Sequence, residues 1–92
     1  MSVEILQISK MIDYIKAYVN DEAIANIKRF NYFKYKNIIE IISNGLENST
    51  YKNNIISYGD YEIIIYDNYD NYYYEITIIK NIDLYEPKGP SK

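Results

Sequence analysis

The sequence predicts a two-layer α+β domain, with two or three N-terminal helices packed on one face of a C-terminal three-stranded antiparallel β-meander. Three observations lead there. Ile5, Ile8, Ile12, Ile15 and Val19 recur at alternating intervals of three and four, the stripe of an amphipathic helix. Two runs rich in β-branched and aromatic residues, Tyr61–Tyr66 and Tyr72–Ile79, flank the polar cluster Asp67–Asn71, which is the pattern of a hairpin. Gly59-Asp60 supplies a turn from the short apolar run Ile55–Tyr58 into that hairpin.

The first helix is expected from Ser2 to about Val19. Ser2 stands where an N-cap belongs, and Glu4 suits the positive end of the helix. Leu6, Met11, Tyr14 and Tyr18 widen the apolar stripe, while Glu4, Lys10, Asp13 and Lys16 mark the wet side. Asn20-Asp21 interrupts the period, and Asp21 reads as the cap of a second helix over 21–31 with Ile24, Ile27 and Phe30 as its stripe. Phe33–Lys36 alternates like a strand. Helical spacing resumes at Ile38, Ile39, Ile42 and Leu46, with Gly45 as the stop of a third helix over 35–44. One long helix is the alternative. Residues 47–54 carry no apolar period and read as a polar connector.

The hairpin's register follows from its faces. With Tyr66 opposite Tyr73 and a loop at Asn68–Asn71, Ile65, Ile63 and Tyr61 oppose Tyr74, Ile76 and Ile78 on a wholly apolar face. Ile64 and Glu62 then oppose Glu75 and Thr77 on the other face. A slip of one residue mixes the two sets, so the first face is expected to be core and the second to meet water or a partner. Ile82 and Leu84 are expected to extend the last strand or tuck under the helices. A single domain is expected over 1–86, and Pro87, Gly89 and Pro90 predict an irregular tail at 87–92.

A chain of 92 residues makes one domain with a modest core. Cysteine and histidine are both absent, which removes a disulfide framework, Ser-His-Asp and Cys-His catalysis, and ordinary zinc sites. The N-terminus lacks the pattern of a signal peptide, and no apolar run approaches the ~18–20 residues a membrane span needs. A soluble cytoplasmic protein is expected, within the host cell if the chain is viral, with no membrane partner. The three glycines are scattered, so no Gly-rich phosphate loop exists. Asp67, Asp70 and Asn71 have oxygen ligands for a hard cation, but their spacing is not that of a calcium loop, and such residues ordinarily shape turns. Glu62 and Glu75 lie close on the expected sheet as glycosidase carboxylates do, yet on a wet face they read as solubilising charges. No catalytic residue, metal ligand or cofactor is assigned.

Charge and tyrosine are more informative. The net charge is −3, but residues 1–46 carry six basic side chains against five acids, and residues 47–92 four against eight. Thirteen tyrosines are an outlier that AT-rich coding bias explains in number better than in clustering. Glu62, Tyr66, Asp67, Tyr69, Asp70, Tyr73 and Glu75 are therefore expected to form an acidic, tyrosine-bearing docking surface, with Asp60 beside it. The matching partner is a host protein with a basic surface, such as a nucleic-acid-binding effector, where rings stack on guanidinium planes. The chain's general style, short, acidic, Tyr-rich and without catalytic residues, is that of small phage or archaeal-virus proteins, many of which inhibit a host protein, anti-CRISPR proteins among them. A non-enzymatic, anti-defence type of inhibitor is the resulting expectation. The alternative is a nucleic-acid binder acting through Lys28, Arg29, Tyr32, Lys34 and Lys36, which interleave cations with rings. A homodimer through an exposed sheet edge is the third possibility and is compatible with the first.

Overall fold

A computed structural model describes residues 2–81. Helix α1 spans Val3–Asn20, and the Ser2 hydroxyl caps it by accepting the Ile5 amide at 3.1 Å. Strand β1 (Ile27–Asn31) follows, then the short helix α2 (Ile38–Asn44). Strands β2 (Thr50–Lys52), β3 (Ile55–Tyr58), β4 (Tyr61–Asn68) and β5 (Tyr73–Lys80) complete the fold. The five strands form one sheet in the order β1-β5-β4-β3-β2, antiparallel throughout.

One face of this sheet is core. Tyr61, Ile63, Ile65, Tyr74, Ile76 and Ile78 are all buried, as the alternation predicts, joined by Phe30 of β1 and Ile56 of β3. Helix α1 lays Ile8, Met11, Tyr14 and Ile15 onto them. Its ring contacts reach β1 and β4 on this same face, Tyr14 against Phe30 and Tyr18 against Tyr61. The Tyr14 hydroxyl also donates to the Ala25 carbonyl at 2.6 Å, which fixes the chain as it enters β1. Helix α2 contributes Ile42, and Leu46 beyond its end is buried too. The hydroxyls of Ser43 and Ser49 meet at 2.7 Å and tie α2 to the start of β2.

The architecture is α+β with an N-terminal helix, but it differs from the expected meander in four respects. Residues 21–31 are not a second helix. Asp21 accepts the Ala23 amide at 3.0 Å in a local turn, and Ile27–Asn31 pair with Thr77–Tyr73 of β5. The spacing of Ile24, Ile27 and Phe30 suits a helix, but pairing along the open side of β5 satisfies the backbone and buries Phe30. The third helix is only Ile38–Asn44, because Asn37 at φ +62° starts it late. The connector at 47–54 contains β2, a polar strand joined to β3 by a turn with Asn53 at φ +58°. The hairpin register is shifted by two residues: Tyr66 faces Glu75, and Asn68 faces Tyr73. A shift of two preserves every face, so the periodicity was satisfied while the loop set the offset. The tail at 87–92 and the expected placement of Ile82 and Leu84 lie outside the described residues.

Candidate docking surface

Two exposed tyrosines, Tyr69 and Tyr72, lie in the hairpin loop. Tyr69–Asn71 make one 3₁₀ turn, and the Asn68 side chain caps it by accepting the Asn71 amide at 3.1 Å. Tyr72 closes the loop at φ +62°, ψ +43°. This left-handed conformation disfavours a bulky side chain. The other described positive-φ positions are Asn37, Asn48, Asn53 and Gly59, residue types that tolerate it; Tyr72 alone among them does not. Tyr66, Tyr69 and Tyr72 are 57%, 61% and 68% exposed, and Asp67 and Asp70 are exposed too, with adjacent Tyr66 and Asp67 of β4 on opposite faces of the sheet. No cation occurs between Tyr61 and Ile79.

The exposed rings rest on a firm base. Tyr72 packs near Tyr69, Tyr69 lies edge-on to Tyr32, and Tyr32 stacks on buried Tyr74 at 5.1 Å. Phe33 adds an edge contact to Tyr74, whose hydroxyl donates to the Phe33 carbonyl at 2.5 Å. Burial pushes the Tyr74 hydroxyl pKa up to about 12, with the Asp67 charge adding to the effect. Tyr32 is raised for the same two reasons in the same order. Tyr69 and Tyr72 are therefore held from behind by an aromatic ladder that runs into the core.

The seven residues expected to share one docking surface divide into two groups. Asp67, Tyr69 and Asp70 lie at the tip, whereas Tyr66, opposite Glu75, belongs to the outer sheet face. Glu62, Tyr73 and Glu75 lie farther along the outer sheet face, and the last two are engaged within the chain. The Arg29 guanidinium sits 4.4 Å over the Tyr73 ring and bonds Glu75 at 3.0 Å, while Asn68 donates to the Tyr73 hydroxyl at 3.0 Å. The hydrogen bond to Glu75 raises the Arg29 pKa further. Arg29 is thus found on the face that sequence reasoning made purely acidic. Its position follows from β1, a strand the helical spacing concealed. Tyr72 was also missed. The positive φ expected at the end of a short hairpin loop was the available signal.

The basic segment does not form a common surface. Lys28 and Arg29 point to opposite faces of β1, and Lys28 lies over the Tyr14 and Phe30 rings on the core side. Phe30 is buried, and Tyr32, Phe33 and Tyr35 pack against the core, so their rings offer no open platform beside Lys34 and Lys36. Among the described residues no three acidic side chains come together as a metal site would need, and no helix is long and apolar enough to cross a membrane. No family model matches the chain, and neither a curated protein nor a solved structure matches it.

Proposed function

We propose that this chain is a non-enzymatic protein-binding module that docks through its hairpin tip onto a basic surface of a nucleic-acid-handling protein. The observation that carries the reading is Tyr72, a large apolar side chain exposed at a backbone position that asparagine or glycine fills with less strain. Tyr69, Asp67 and Asp70 on the same tip add a second flat ring and two negative charges, the chemistry of bases and phosphates. A groove built for nucleic acid offers Arg and Lys to the carboxylates and guanidinium planes to the rings. Seated there, the tip excludes the nucleic acid, so the module acts as an inhibitor of the anti-defence kind.

The test is affinity capture from host lysate, read by mass spectrometry, with the wild type beside D67K/D70K and Tyr72→Gly. Wild type is expected to retain a nucleic-acid-binding protein that added single-stranded DNA displaces. The charge reversal is expected to lower retention at least tenfold with unchanged circular dichroism. Tyr72→Gly is expected to raise stability by about 1 kcal/mol, since glycine adopts this conformation freely, while weakening capture. Retention that is indifferent to both variants places the docking surface elsewhere.

A further inference from the structure

The outer sheet face carries an apolar band that the tip does not use. The registers set Ile27, Thr77, Ile64, Ile55 and Lys52 in one row across all five strands. Ile79 lies in the adjoining row with Glu62 and Ser57. Ile27 is 52% exposed and Ile55 and Ile79 are 38% exposed, and no described element covers them. The charged residues of this face are Arg29, Lys52, Glu62 and Glu75, two of each sign. In a chain of net charge −3, this face is locally neutral.

We propose that this face packs against the same face of a second copy, forming a two-fold dimer of stacked sheets. Local neutrality lets two otherwise acidic chains meet here without repulsion, whereas a strongly charged partner finds no net field to match. A shallow depression lies among Thr50, Lys52, Ile55, Ser57 and Glu62 at the β2 end. A two-fold axis lets each copy bury the same apolar band against the other. Strand spacing and rise give the face roughly 24 by 20 Å, or about 500 Å² per copy. Two copies together bury about 1,000 Å², the lower limit for a specific interface, so the dimer is expected to be weak.

The sheet edges are poorer candidates. Edge strand β1 carries adjacent Lys28 and Arg29, and β2 is only three residues long, both devices that discourage edge pairing. Antiparallel self-pairing centred on β1 also sets Arg29 against its own copy.

Sedimentation equilibrium across micromolar to millimolar protein tests the proposal. The wild type is expected to move from 11.0 kDa toward twice that mass. Ile64→Lys and Ile27→Lys are expected to remain monomeric with unchanged circular dichroism. Asn31→Pro is expected to dimerise as the wild type does, since the Asn31 amide points away from β5 and is available only to an edge partner. A wild type that stays monomeric to millimolar concentration overturns the proposal. So does a dimer that Asn31→Pro abolishes and Ile64→Lys leaves intact, which would be an edge dimer. Capture by the tip is read independently, because D67K/D70K touches none of this band.

Discussion

Tyr74 shows how one side chain links the core to the tip. Its ring fills the inner face, its hydroxyl holds the Phe33 carbonyl, and Tyr32 stacked on it leads to Tyr69. The raised pKa gives this arrangement a pH signature. In the unfolded chain the hydroxyl ionises at its ordinary value near 10, but in the native state it keeps its proton to about 12. The native state therefore binds more protons between those values, and its stability, complete below about pH 10, falls as pH rises toward 12. Tyr14 and Tyr32 are raised as well and act with the same sign. The Tyr74 shift alone is worth on the order of 3 kcal/mol. Urea midpoints are expected to hold steady from about pH 7 to 9 and to drop steeply above about pH 10. Tyr74→Phe is expected to cost about 1–3 kcal/mol at neutral pH, because the Phe33 carbonyl loses its donor, and to flatten the alkaline slope. An equally steep slope in that variant would remove Tyr74 from the account.

At the scale of elements, α1 and the hairpin faces were legible because each writes its period into the chain without outside help. Ser2 caps, the stripe buries, and parity assigns Tyr61, Ile63 and Ile65 to the core whatever the offset. Strand β1 was not legible. Its sequence IKRFN buries one residue, so it has no alternation to detect, and it exists because β5 lies between two strands and needs a partner on the side away from β4. That partner lies more than forty residues away in sequence, beyond any local window. Strand β2 has no buried residue at all. Tyr69 and Asp70 lie in the loop the sequence predicts, but Tyr72, expected in the strand, closes that loop and Asp67, expected in the turn cluster, belongs to β4, while the Arg29–Tyr73–Glu75 contact depends on the unseen strand. Hydrogen exchange separates the two accounts of 27–31. In a strand edge the amides of Lys28 and Phe30 face β5 and exchange slowly, while those of Ile27, Arg29 and Asn31 face away and exchange fast. A helix would protect successive amides without alternation, so uniform protection would restore the helical reading.

The whole molecule is asymmetric across its sheet. One face is sealed by α1 and α2, while the other carries the same residue type at comparable positions and is covered by no described element. Ile76 and Ile64 make the comparison directly. They sit on neighbouring strands with their side chains on opposite faces, Ile76 fully buried and Ile64 only partly so. Truncating Ile76 to alanine removes buried methyl groups and leaves a cavity among Tyr74, Ile78 and Ile65, at a cost of about 2–4 kcal/mol. A domain of this size holds roughly 5–14 kcal/mol in total, so this one change consumes a large share of it. Ile64→Ala leaves no enclosed cavity, and below the concentration at which copies associate it is expected to cost under about 1 kcal/mol. At higher concentration the two variants should behave differently again. Ile76→Ala keeps the outer band and retains the concentration-dependent gain in stability that association brings, whereas Ile64→Ala loses most of that gain. Equal losses at both sites in dilute solution would mean that the second face is as well sealed as the first, and the reading of an open, self-docking face would fall with it.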